Sequence, residues 1–163
     1  MRNNFSEETH PWTKEIPRGA TKLFIGTFPT DQRNRVFDFF YCSSTNRFWR
    51  TLSAIVPNPS HDLNQGDPIE NRKVLLQQLN LGLTDMGRKV LRQQGSSSDD
   101  SLFPIEFMDI IQIVIHYPEL DTLIVSGDTQ GNSSLSWFAT FCELNGISFN
   151  AKIFKKDGQG VVV

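Results

Sequence analysis

Apolar positions along the chain fall into blocks of two kinds. "KLFIG" (22–26), "LGLTDMG" (81–87) and "DTLIVSG" (121–127) are short apolar runs that stop at glycine or at small polar residues, the pattern of buried strands. Between them, apolar residues recur at three- and four-residue intervals. Phe48, Trp49, Leu52, Ile55 and Val56 predict a helix over 46–56, capped by Thr45 or Asn46. Val74, Leu75, Leu76 and Leu79 predict a second over 70–82, ending near Gly82. Phe107, Ile110, Ile111 and Val114 predict a third over 104–118, stopped by Pro118. A fourth spans 132–146, with Gly146 as its C-terminal cap. Segments 31–44, 57–68 and the serine run around 96–98 are loops, and polar residues 1–21, with Pro11 and Pro17, form an arm. Residues 147–163 give a strand, a turn at Asp157-Gly158 and a last apolar run.

Strands alternating with helices predict one α/β domain over 1–163, a three-layer α/β/α sandwich. Its central sheet is expected to be four-stranded and mainly parallel, with helices on both faces. Ligands of such sheets sit outside the carboxyl ends of the strands. The search for function therefore narrows to "GTFPT", "TDMG", "SGDTQGN" and whatever follows the final "VVV".

Composition adds limits. A chain of 163 residues, 38% hydrophobic and 21% charged, suits a single globular domain. A net charge of -2 excludes a strongly basic nucleic-acid coat and leaves a local basic patch open. Cys42 and Cys142 are too few and too isolated for a disulfide framework or a zinc knuckle, so both are read as reduced thiols in a cytoplasmic protein. No apolar run has the length of a membrane span, and the N-terminus has no signal-peptide core. Phenylalanine is abundant, 13 copies against two tyrosines, and six aromatics fall between Phe37 and Trp49.

The common catalytic signatures are absent from the sequence: no GxGxxG, no GxxxxGK[ST], no GxSxG. His10, His61 and His116 are separated along the chain without metal-ligand spacing and are read as solvated or capping residues; no metal and no cofactor is expected. What is left is neutral, aromatic and rich in amides. Gly26 and Pro29 let the backbone turn closely at a strand end. Tyr41 offers a ring for stacking, worth roughly 1–3 kcal/mol per base. Asn46 offers a donor and an acceptor. These groups suit a flat, uncharged heterocycle, such as a base flipped out of a duplex.

"LFIGTFPT" followed by "FYCSSTNRFW" resembles the uracil-DNA glycosylase superfamily, closest to its deoxyinosine (hypoxanthine) and mismatch-specific uracil/thymine branches. "GLTDMGRKVLRQQGSSSDDSL" is similar to that family's second strand end and the serine-containing loop after it, so the likeness covers about 22–127. The resemblance implies a monofunctional glycosylase that removes hypoxanthine or uracil from DNA, acting as a monomer without a cofactor. Gly26, Thr27, Phe28 and Pro29 fall in the first motif. Phe28 stands where the mismatch-specific branch has a water-positioning asparagine, a departure shared with the deoxyinosine branch. Tyr41 falls where the family stacks an aromatic on the base, and Asp85 where it reads the base edge. Asn46 is the implied catalytic amide, orienting the attacking water, with Asp31 as second choice for a water-activating group. Ser96, Ser97, Ser98 and Arg88 are expected at the DNA.

Two departures stand beside this likeness. Cys42-Ser43-Ser44 replaces the family's proline turn, and the Pro-Ser-rich second motif is missing, as though the chain were cut before it. They keep open a catalytically inactive relative that binds a nucleobase, DNA or a partner protein. A third expectation is an enzyme acting on free nucleosides.

Overall fold

The computed structural model describes residues 4–56, 62–127 and 131–149, and the backbone of 152–154 and 160–162. Its elements are, in order, β1 (Phe5–Thr9), β2 (Lys14–Glu15), β3 (Lys22–Gly26), α1 (Phe48–Ile55), α2 (Pro68–Leu79), β4 (Leu81–Asp85), β5 (Gly87–Gln93), β6 (Leu102–Phe107), α3 (Ile110–His116), β7 (Thr122–Val125), α4 (Ser134–Leu144), β8 (Lys152–Phe154) and β9 (Gly160–Val162).

The expected sandwich around one mainly parallel sheet does not form. One sheet is antiparallel and three-stranded, in the order β1-β5-β6. The other is mixed and four-stranded, in the order β2-β4-β3-β7: β3 pairs in parallel with β4 and β7, and β2 lies antiparallel on β4. β8 and β9 pair with each other, and the predicted turn at Asp157-Gly158 lies outside the described residues.

The first sheet escaped the sequence pattern for three local reasons. In β5, "GRKVLRQ", Gly87, Val90 and Arg92 point inward, and an inward arginine hides the two-residue alternation. β1, "FSEET", alternates between half-buried and exposed with no apolar stripe, so it looked like an arm. β6 carries Pro104, an edge-strand position that dispenses with the missing N–H, and its apolar residues merged into the expected helix 104–118. The real α3 begins only at Ile110, where Asp109 accepts a hydrogen bond from the Gln112 backbone at 3.0 Å.

The other helices follow ordinary capping chemistry. Asp67 accepts from the backbones of Ile69 and Glu70, and Pro68 opens α2. The helix ends one turn earlier than predicted because Asn80 adopts the left-handed conformation (φ 50°), releasing Leu81 and Gly82 into β4. Ser133 and Ser136 form a reciprocal cap at the start of α4.

Two apolar clusters flank the mixed sheet. Leu23, Ile25, Met86, Val90, Leu102, Trp137 and Phe141 belong to one; Phe39, Phe40, Trp49, Leu76, Leu81 and Leu83 belong to the other. Met86 is the hinge between the sheets, because the chain leaves β4 and enters β5 across that single residue. Its N–H donates to Gly26 at 2.8 Å and its carbonyl accepts from Met108 at 2.7 Å. Gly87 must lack a side chain: a Cβ there would sit 2.9 Å from the Phe28 ring and 3.1 Å from Trp137. Both rings are buried, so Gly87→Ala is expected to destabilise the fold by about 1–3 kcal/mol through overpacking, measured by urea unfolding.

Candidate functional site

The cavity lies where β3 and β4 end side by side, with Gly26 opposite Asp85 in the register. Its volume is about 660 Å³, within the roughly 300–1,000 Å³ of small-molecule sites. Beyond β3, the Gly87 N–H donates to the Thr27 carbonyl at 2.9 Å, so the first motif leaves the sheet under restraint. Arg92 braces the next step. Buried on β5, it donates to the Pro29 carbonyl at 2.6 Å and to Glu8 at 2.9 Å, and lies over the Phe28 ring. Thus Gly26, Thr27, Phe28 and Pro29 line the cavity as a fixed edge.

Asp85 is 4% exposed, and a histidine accounts for its tolerance of burial. His10 Nε2 lies 2.8 Å from Asp85 Oδ2, and His10 is likewise buried. The ring's other nitrogen, Nδ1, accepts from the backbones of Trp12 (3.1 Å) and Thr13 (2.9 Å). With Nδ1 an acceptor, the proton sits on Nε2 and is donated to Asp85. The second carboxylate oxygen, Oδ1, presses on Gly26, where any Cβ would collide with it and with the Tyr41 hydroxyl. Glycine at 26 is therefore what lets a carboxylate and a phenol converge at the cavity floor.

Tyr41 reaches this point from the loop, in a left-handed conformation (φ 53°). Phe48 covers one face of its ring in a stack at 3.9 Å, and Phe24 meets it edge-on at 6.0 Å. Its hydroxyl is buried and has no partner among the described residues. Burial first, then Asp85 and Asp99, holds the phenol well above its usual pKa, so it remains a donor.

The remaining expected residues divide. Asn46 lines the cavity, and its Oδ1 accepts from the Phe48 backbone at 2.8 Å in a turn just ahead of α1, whose N-cap is Arg47 rather than the expected Thr45 or Asn46. Asp31 lies outside the cavity lining. Arg33 grips both its oxygens, at 3.0 and 2.8 Å, which holds its carboxyl far below the usual carboxylate range. Of the three serines, Ser97 lines the cavity and accepts from Asn34 Nδ2, whereas Ser96 and Ser98 bond within their own turn. Arg88 pairs with Glu106 at 3.3 Å and borders a different hollow, beside α3. Arg33 and Arg35 are the cations at the cavity's rim. The segment 128–130 of "SGDTQGN" lies outside the described residues, as does His61; Ser126 reaches the cavity.

Two residues at the site carried no readable signal. His10 was a lone histidine in a polar arm, and only its pairing across 75 positions with Asp85 gives it a role. Asp99 sat in a serine- and aspartate-rich loop where carboxylates are ordinary caps, yet it lines the cavity with Asp85. Among the described residues no cluster of metal-ligating side chains occurs, and no helix is long and apolar enough to cross a membrane. Both cysteines are buried free thiols, and burial raises both.

No family model, no curated protein and no solved structure matches the chain.

Removing one partner of a buried pair leaves the other unsolvated. His10→Ala is accordingly expected to cost about 2–4 kcal/mol in urea unfolding at neutral pH, and a second change, Asp85→Asn, to return part of that loss. Equal stability of His10→Ala and the parent would show that the bond carries nothing.

Proposed function

We propose that the protein is a monofunctional DNA glycosylase that hydrolyses the N-glycosidic bond of a deaminated base, hypoxanthine or uracil. One observation carries this reading. The segments that resemble the glycosylase superfamily, far apart in sequence, bring Gly26–Pro29, Tyr41, Asn46 and Asp85 to one cavity at the carboxyl ends of β3 and β4. In this reading the base leaves the duplex and enters the cavity edge first, with the cost of unstacking repaid inside. Asp85 Oδ1 accepts the ring N–H of the lactam that deamination creates. Adenine and cytosine present an unprotonated ring nitrogen at that edge, which a carboxylate repels. The hydroxyl of Tyr41 is a donor for a base oxygen. As the bond to C1′ breaks, positive charge grows on the sugar, and the cavity's carboxylates stabilise it. Arg33, Arg35 and the exposed Arg47 and Arg50 supply cations for the flanking phosphates.

A second reading, a base-binding protein without chemistry, draws on the hydrogen bond of Asn46 to the Phe48 backbone and the engagement of Asp31 by Arg33. Each group expected to handle water already holds a partner.

The test uses 5′-labelled duplexes containing inosine or uracil, incubated with excess protein and then treated with alkali. Breaks at the modified position are the expected result, and Asp85→Ala should slow excision at least ~100-fold. Intact strands with both duplexes would remove the enzymatic reading. Selective retention of the inosine duplex without breaks would establish the binding reading, and turnover of free inosine a nucleoside hydrolase.

A further inference from the structure

The glycosylase reading needs a base for the attacking water, and the groups first expected to provide it are engaged elsewhere. Asn46 is an amide, too weakly basic to take a proton from water, and its Oδ1 already accepts from the Phe48 N–H; Asp31 is forked by Arg33 outside the cavity lining. Two carboxylates line the cavity among the described residues, Asp85 and Asp99. Asp85 is committed to His10 through Oδ2.

Asp99 is presented from a pinned turn, Asp99–Ser101. Ser98 caps it by accepting from the Asp100 N–H at 3.3 Å, and the Ser101 N–H closes it on the Ser98 carbonyl at 3.1 Å. The carboxylate faces Thr27 of the first motif, so it stands over the same strand end as Asp85. An independent feature marks this cavity as a ligand site: the Tyr41 hydroxyl that lines it is buried and lacks any partner among the described residues.

We propose that Asp99 is the catalytic base, while Asp85, positioned by His10, holds the leaving base. The assignment rests on the glycosylase reading. A water molecule donates one proton to Asp99, and its oxygen forms the new bond to C1′. The C1′–N bond breaks with its electron pair going to the departing base. The proton on Asp99 then passes to that base, restoring the carboxylate, so the products are an abasic sugar with its hydroxyl and a neutral base. No oxidant, reductant or metal enters the balance.

The surroundings suit the task. Asp99 is exposed on its outer side, and partial desolvation by the cavity wall raises its pKa; the Thr27 hydroxyl opposes, Asp85 raises it further, Arg92 opposes and Asp100 adds to the rise, leaving it above the ordinary aspartate value. A base nearer the working pH transfers protons more effectively. The sign for stability follows. The folded pKa exceeds the unfolded one, so Asp99 supports the fold fully only below its unfolded pKa. That support is lost as pH rises through the folded value, and at neutral pH the ionised side chain weighs against the fold.

Single-turnover excision from inosine and uracil duplexes, followed from neutral to acidic pH, tests the assignment. Wild-type rate should fall as acid protonates Asp99. Asp99→Asn should lose ~100- to 10,000-fold at neutral pH and lose the acidic limb, while its Tm at neutral pH stays level or rises. A wild-type rate that holds constant into acid, or an Asp99→Asn rate within about threefold of wild type, a ΔΔG‡ under ~0.7 kcal/mol, overturns the role of Asp99 and leaves the glycosylase reading intact. A folded Asp99→Asn whose residual rate keeps the wild-type acidic limb overturns it equally. Wild-type protein that leaves both duplexes intact at every pH overturns both.

Discussion

The hydrogen bond from His10 to Asp85 closes the molecule on itself. Asp85 ends β4, the chain crosses Met86 into β5, β5 pairs with β1, and β1 runs directly into His10. The circuit returns to its starting point through one 2.8 Å contact between two buried side chains. A carboxylate at that depth requires a donor, and the histidine that provides it is itself fixed by two backbone N–H groups. The same carboxylate occupies the space that a Cβ at Gly26 would need. The histidine, the glycine and the strand end are thus mutually dependent, and the cavity floor is what they jointly build.

The loop that brings Tyr41 to this floor is long, yet it is held like a core element. Phe39 and Phe40 are buried, and the Trp49 indole donates to the Phe40 carbonyl at 2.8 Å. Arg72 of α2 lies 4.1 Å from the Phe37 ring centre and 5.5 Å from that of Trp49. Cys42-Ser43-Ser44 is held by hydrogen bonds to its neighbours. The Val36 N–H donates to the Cys42 carbonyl at 2.9 Å, Arg35 bridges Ser43, and the Ser43 and Thr45 hydroxyls meet at 2.9 Å. With these contacts "YCSSTNRFW" is a braced wall that hands over to α1 at Phe48.

What could be read from the sequence followed the strength of each local signal. The apolar runs at 22–26 and 81–87 located β3 and β4 because both strands are buried and their ends carry glycine or aspartate. The period of Phe48, Trp49 and Leu52 located α1 for the same reason. β1 and β5 stayed hidden because their inward positions include serine, glutamate and arginine: half-buried Glu8 pairs with Arg92 between the strands at 2.9 Å, and Arg92 also donates to the Pro29 carbonyl. A buried ion pair erases the hydrophobic alternation that would reveal a strand. The site divided the same way. Gly26, Tyr41 and Asp85 sit in segments with recognisable order, whereas His10 and Asp99 acquire meaning only through contacts across the fold.

The two cavity carboxylates illustrate how one environment gives similar groups different tasks. Asp85 has a neutral donor fixed behind it, so its charge is met by a hydrogen bond and its free oxygen is directed at the floor. Asp99 has Thr27 and Arg92 favouring its charge, and Asp85 opposing it. Desolvation and the neighbouring carboxylates disfavour its ionised form. In the proposed reaction, a group that gains from accepting a proton, beside one held by a hydrogen bond, is the asymmetry that a hydrolytic step at an uncharged bond requires. Under that proposal, the electrostatic penalty on ionised Asp99 is stability given up to keep a base available.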